Sequence, residues 1–167
     1  MARIPEKYST LIRDFIGLLR EGFADNLVAV VLYGSVARGK ARKDSDIDIC
    51  LVFKSLPQSQ HKRTLLIFPL LKAIREKESY QRLYREGYLP EISPILYTAE
   101  EMQDTKPIFL DMVEDGIILL DDGTFQSKLT KIKEKMKKYG SRKVILEDGS
   151  YYWILKPGLK LGEEFAI

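Results

Sequence analysis

Residues 28–53 constrain the fold more than any other part of the chain, because two apolar runs flank a short segment rich in glycine, serine and charge. Val28-Ala29-Val30-Val31-Leu32-Tyr33 is continuously apolar and short, which predicts a buried strand that breaks at Gly34. After the segment Gly-Ser-Val-Ala-Arg-Gly-Lys-Ala-Arg-Lys-Asp-Ser (34–45), the run Asp46-Ile47-Asp48-Ile49-Cys50-Leu51-Val52-Phe53 alternates with period two. A strand with that pattern sends Ile47, Ile49, Leu51 and Phe53 to one face, and Asp46, Asp48 and Cys50 to the other. Two carboxylates therefore share a face at the start of a strand, a few residues downstream of a small, bare turn.

The remaining periodicities predict helices and strands around this pair. Tyr8, Leu11, Ile12, Phe15, Ile16, Leu19 and Phe23 recur at helical spacing behind Pro5, which suits a first turn. Gln58 to Lys77 reads as a helix that Pro69 is expected to kink or split. Glu91 to Tyr97 reads as a strand whose two prolines, Pro90 and Pro94, demote it to an edge or force a bulge; in that register Glu91, Ser93, Ile95 and Tyr97 share a face. Thr98-Ala99-Glu100-Glu101 has the form of a capping box and predicts a short helix. Beyond it come a helix over 107–114 stopped at Gly116, a strand over 117–120, a helix over 125–139, and a hairpin over 143–155 with a two-residue turn at Asp148-Gly149. The expected organisation is a domain over 1–105 with a C-terminal extension over 106–167, in an α/β (α+β) fold with helices packed on a sheet.

Several chemistries are disfavoured from the outset. His61 is the only histidine and Cys50 the only cysteine, so a Ser-His-Asp or Cys-His arrangement has few parts to draw on, and Cys50 has no partner for an internal disulfide. No apolar run approaches the roughly 20 residues that span a bilayer, and no charged and apolar leader pattern opens the sequence. The expectation is a cytoplasmic protein without a membrane segment. The net charge of +3 is mild, but 128–143 holds eight cations against one acid, a face that suits an RNA backbone, an acidic partner or plain solvent.

A glycine at a strand end lets backbone amides approach a ligand, and Ser35 adds a hydroxyl where a helix begins; together they make a phosphate seat. Asp46 and Asp48 present hard oxygen ligands of the kind Mg²⁺ accepts when phosphates and waters complete its shell. Arg38, Lys40, Arg42 and Lys43 lie between without a Walker-type Gly-Lys-Thr signature.

Gly34-Ser35, ten intervening residues and Asp46-Ile47-Asp48 resemble the signature of the nucleotidyltransferase superfamily that includes DNA polymerase β. The fuller Gly-Ser-x-Ala-Arg-Gly and Ser-Asp-Ile-Asp runs are similar to its minimal nucleotidyltransferases. The resemblance implies a DNA polymerase β-like fold, a mixed β-sheet with helices packed on it, and transfer of a nucleoside monophosphate, AMP above the others, from an NTP to a protein, RNA or small-molecule hydroxyl, with release of pyrophosphate. It implies that Gly34, Ser35, Arg38 and Ser45 contact the nucleotide. It also implies that Asp46 and Asp48 bind two Mg²⁺ ions, with Mn²⁺ as a substitute, and that a third carboxylate on a neighbouring strand completes the catalytic and metal set. Glu91 is the candidate for that third acid, with Glu78, Glu86 and Glu100 behind it. A second expectation is a nucleotidyltransferase-fold binding module, antitoxin-like, acting through a small helical protein partner with little or no catalysis.

Overall fold

The structure, a computed structural model, describes residues 4–160 and 163–165. Helix α1 (Glu6–Phe23) leads into strand β1 (Leu27–Tyr33), a single-turn helix α2 (Gly34–Ala37) and strand β2 (Ile47–Phe53). Helices α3 (Gln60–Arg75) and α4 (Glu78–Arg85) follow, then β3 (Ile92–Thr98), α5 (Pro107–Asp115), β4 (Ile117–Asp121), α6 (Thr124–Tyr139), β5 (Arg142–Ile145) and β6 (Tyr151–Ile154).

The main sheet has the order β3-β2-β1-β4; β2 and β4 pair antiparallel to β1, and β3 runs parallel to β2. A parallel neighbour requires a crossover, and α3 with α4 supplies it. Both central strands are buried on both faces, which is why β1 reads as a continuous apolar run. On one side Val30, Leu32, Ile47, Ile49, Leu51 and Phe53 pack with Leu11, Phe15 and Leu19 of α1 and Ile67 and Ile74 of α3. On the other, Val31, Tyr33, Cys50 and Val52 pack with Phe109 and Met112 of α5 and Phe125, Leu129 and Ile132 of α6. The sheet is therefore a filling between two helical layers, a mixed α+β architecture.

Four details depart from the sequence expectations. Helix α3 runs unbroken through Pro69. Pro69 is exposed, and so is Leu65, whose carbonyl the proline leaves without its helical donor; water can satisfy it there. Helix α4 has no counterpart in the sequence reading. The capping box closes as expected, Thr98 N–H donating to Glu101 Oε2 at 2.9 Å and Glu101 N–H to Thr98 Oγ1 at 3.1 Å, but it starts only a 3₁₀ turn, Glu101–Gln103. The hairpin turn is longer than two residues: Ile145 pairs with Tyr151, Gly149 N–H closes on Leu146 O at 3.0 Å, and Gly149 takes φ +82°. That geometry is a turn carrying a glycine bulge.

Residues beyond 105 do more than decorate the domain. Strand β4 completes the main sheet, and α5 and α6 cover its second face. Among the described residues, only the β5–β6 hairpin stands apart as a two-stranded sheet.

Candidate active site

Strand β1 ends at Tyr33, opposite Asp48 of β2. Gly34 then turns the chain with φ +73°, and a Cβ built on it would lie 2.0 Å from Asp48 Oδ2 and 2.9 Å from its Cγ. Only glycine fits, on both counts: the left-handed backbone disfavours a side chain, and the Asp48 carboxylate already fills the space. The turn continues through α2, where Arg38 N–H reaches Gly34 O at 3.2 Å and Lys40 N–H reaches Ser35 O at 2.9 Å. Val36 anchors it from below in the α1-side core.

The loop back to β2 is stapled to its surroundings. Ser45 Oγ accepts from Arg42 N–H at 2.9 Å, so this hydroxyl, expected at the nucleotide, is engaged in holding the loop. Leu89 N–H donates to Lys43 O at 2.7 Å and Ile47 N–H to Glu91 O at 2.8 Å, which fixes the start of β2 against the entry to β3. Arg38 leans toward the end of α5, its Nη1 3.6 Å from Asp115 Oδ2. Asp115 was not foreseen from sequence; an acid just before Gly116 was the only signal available.

Asp48 is half-buried, and burial, with the charge of Asp46 added, pushes its carboxyl above the usual range while Arg38 pulls it back. The Tyr33 phenol is pushed up by burial and then by Asp48. Cys50, two residues deeper on the same face, is fully buried and its thiol is pushed up to about 12, which removes it as a nucleophile. Two neighbouring carboxylates beside a bare turn make a repulsive arrangement that a cation relieves. The donor set thus fits a divalent metal whose remaining positions come from phosphate oxygens and water.

Glu91 is not brought to this pair. It precedes β3 in the chain, and its carboxylate turns toward the opposite helical layer, accepting from Arg75 Nη2 at 2.5 Å, Arg75 Nε at 3.2 Å and Tyr80 Oη at 2.5 Å. Burial opposes those bonds, yet the carboxyl stays below its ordinary value. The residue registered against Asp48 on β3 is Ser93. Glu78 is ion-paired with Arg85 on α4. Among the described residues no three His, Cys, Asp or Glu side chains gather as a metal site. The structure therefore assembles Gly34, Ser35, Asp46, Asp48 and Arg38 at one end of the sheet and leaves Glu91 outside.

Residues 12–149 match the family model described as a nucleotidyltransferase domain. The chain belongs to the nucleotidyltransferase family. Two proteins of Methanocaldococcus jannaschii that carry the name "Putative protein adenylyltransferase" are similar to this nucleotidyltransferase. One is 26% identical over 133 residues, covering 78% of this chain and 84% of the relative; the other is 30% identical over 105 residues, covering 63% and 90%. Among solved structures, a toxin-antitoxin with AMP-PNP superposes with a TM-score of 0.50 at 18% identity, over 75% of this chain and 89% of the other. The spectinomycin adenyltransferase of Enterococcus faecialis, solved with ATP and spectinomycin, gives 0.51 at 13% identity over 78% and 66%. At those identities the two structures establish the fold alone, and that fold is a nucleotidyltransferase fold.

Proposed function

We propose that this nucleotidyltransferase transfers an adenylyl group from ATP to an acceptor hydroxyl on a protein, an RNA or a small molecule. The observation that carries the reading is the fit of Gly34 against Asp48, which leaves room for backbone and carboxylate but for no side chain between them. In this reading the Gly34-Ser35 turn offers backbone N–H groups and the Ser35 hydroxyl to the β and γ phosphates, and Arg38, poised on Asp115, neutralises the triphosphate from the side. Ser45 acts one step back, through the loop that it closes. Asp46 and Asp48 would hold Mg²⁺ through carboxylate oxygens; bound there, the metal neutralises the charge that builds on the triphosphate and the leaving pyrophosphate. The acceptor oxygen bonds to the α-phosphorus, the α–β bridging oxygen leaves with pyrophosphate, and the acceptor proton is released. Selection of ATP is supported by the names of the archaeal relatives.

The test is pyrophosphate release with α-labelled ATP and Mg²⁺ in cell extract, followed by identification of whatever carries the label. Asp46→Asn and Asp48→Asn are expected to lose at least about 10³-fold in rate with the fold intact, the scale on which electrostatic stabilisers act. Absence of both label and pyrophosphate with the unaltered chain overturns the reading.

One observation favours a second reading. With Glu91 committed to Arg75 and Tyr80, and Ser93 opposite Asp48, the pair lacks a third carboxylate among the described residues. The chain would then bind nucleotide and serve as a partner protein with little catalysis, a role in keeping with a neighbour solved as a toxin-antitoxin. Tight ATP binding without pyrophosphate release, together with co-purification of a small helical protein that survives Asp46→Asn, selects it.

A further inference from the structure

Helix α6 carries six lysines and one glutamate in sixteen residues. Four of the six, Lys128, Lys131, Lys135 and Lys138, follow at intervals of three and four, so they lie along one side of the helix over about 15 Å. Beside that row runs a groove of about 430 Å³ between α6 and the segment 99–105, walled by Gln103, Thr105, Ser127, Lys128, Lys131 and Lys135. Lys128 is tethered within it, its ammonium donating to Gln103 O at 2.8 Å and to Thr105 Oγ1 at 3.3 Å. Burial, and after it the charge of Lys135, push this ammonium below its ordinary value; Lys131 and Lys106 add to the repulsion and Asp104 opposes it. Among the described residues no carboxylate comes within ion-pair distance of Lys128, Lys131, Lys135 or Lys138. Like charges three and four apart cost helix stability when nothing neutralises them. The row is thus an unneutralised positive ridge beside a polar trough.

The ridge also has a direction. Its Lys128 end sits against Gln103 and Thr105, just before α5 begins, and its other end leads into β5, where Lys143 bonds Glu114 near the end of α5. Helix α5 finishes at Asp115, which holds Arg38 of the nucleotide turn. A strand laid along the ridge therefore runs toward the end of the sheet that presents Asp46 and Asp48.

We propose that the α6 ridge and its groove bind the backbone of single-stranded RNA. A single straight row of ammonium groups, separated by rises of about 4.5 to 6 Å along the helix, suits one phosphodiester strand rather than the two strands of a duplex. The hydroxyl and amide side chains in the trough, Ser127, Thr105 and Gln103, supply the donors and acceptors that a ribose 2′-hydroxyl can use. The inference concerns a surface and stands independently of adenylyl transfer.

The test is fluorescence anisotropy with a labelled 20-nucleotide single-stranded RNA of mixed sequence, titrated over a range of salt. The triple variant Lys131→Gln, Lys135→Gln, Lys138→Gln leaves the Lys128 tether in place. It is expected to weaken binding at least tenfold at low salt and to flatten the slope of log affinity against log salt by about 2, at about 0.7 per phosphate contact. A control triple on the far layer, Lys62→Gln, Lys72→Gln, Lys77→Gln, removes the same charge and is expected to change binding less than threefold. Equal loss in both triples, unchanged binding in the α6 triple, or equal affinity for DNA of the same sequence overturns the proposal. So does displacement of RNA by poly-glutamate at matched charge, which assigns the ridge to an acidic protein. An unaltered chain that binds the RNA through α6 yet releases no pyrophosphate upholds the α6 assignment and overturns adenylyl transfer alone.

Discussion

At the scale of single residues, Gly34 and Asp48 behave as one unit, because the space that a side chain at position 34 would need is occupied by the carboxylate at position 48. Gly34→Ala meets both a left-handed backbone, which costs about 1–2 kcal/mol, and the Asp48 carboxylate. It should lower the melting temperature by several degrees and weaken ATP binding at least tenfold, as calorimetric titration will show. Asp48→Asn should separate stability from activity. In the folded chain the Asp48 carboxyl is held above its ordinary value of 3.8, so the native state binds that proton more tightly than the unfolded chain does. Ionising it therefore removes stability as the pH rises past the carboxylate range. The asparagine variant should melt higher than the unaltered chain at neutral pH, lose that advantage in acid, and release no pyrophosphate. A site that stores repulsion for a cation is expected to trade stability for function in this way.

At the scale of elements, the readable parts were those whose signal is local. The period of two in β2 separated Ile47, Ile49, Leu51 and Phe53 from Cys50 on the opposite face, and the helical spacing of Tyr8 to Phe23 marked α1, because burial on a sheet or helix face is imposed residue by residue. Glu91 was not readable, because its fate depends on Arg75 and Tyr80, sixteen and eleven residues away, on helices whose packing no periodicity reports. Pro69 misled for the opposite reason: the local rule holds only where the freed carbonyl is shut off from water. Glu101 shows both kinds of information in one side chain. Its capping contact with Thr98 was legible, whereas its two hydrogen bonds to the buried guanidinium of Arg63, at 2.7 and 2.9 Å, were not. The Arg63 hydrogen bonds hold the Glu101 carboxyl below its ordinary value of 4.5, against burial and with help from Thr98 N–H. That stabilisation is complete above 4.5 and disappears as the pH falls through the lowered value. Glu101→Gln should cost about 2 kcal/mol in neutral urea melts, with the gap to the unaltered chain closing in acid.

At the scale of the molecule, the β5–β6 hairpin joins no ladder of the main sheet among the described residues; Trp153 packs against the core on the α5–α6 side, and polar side chains of α5 hold the rest. Asp111 accepts from Tyr151 Oη at 2.9 Å and from Trp153 Nε1 at 3.0 Å, and Lys143 lies between Asp111 and Glu114 while covering the Tyr151 ring. Asp111→Ala should release the hairpin and red-shift the emission of Trp153, the only tryptophan, while the main unfolding transition stays within about 0.5 kcal/mol. Cys50 lies at the opposite extreme, on a central strand and sealed beneath the aspartate pair with none of its surface exposed. A thiol so placed meets a reagent only when the sheet itself opens, so its labelling rate counts openings of the whole molecule. The chain thereby carries its own clock: the ATP of the proposed function, which would slow every opening that empties the site, can be weighed by timing the modification of one buried sulfur atom two residues beyond Asp48.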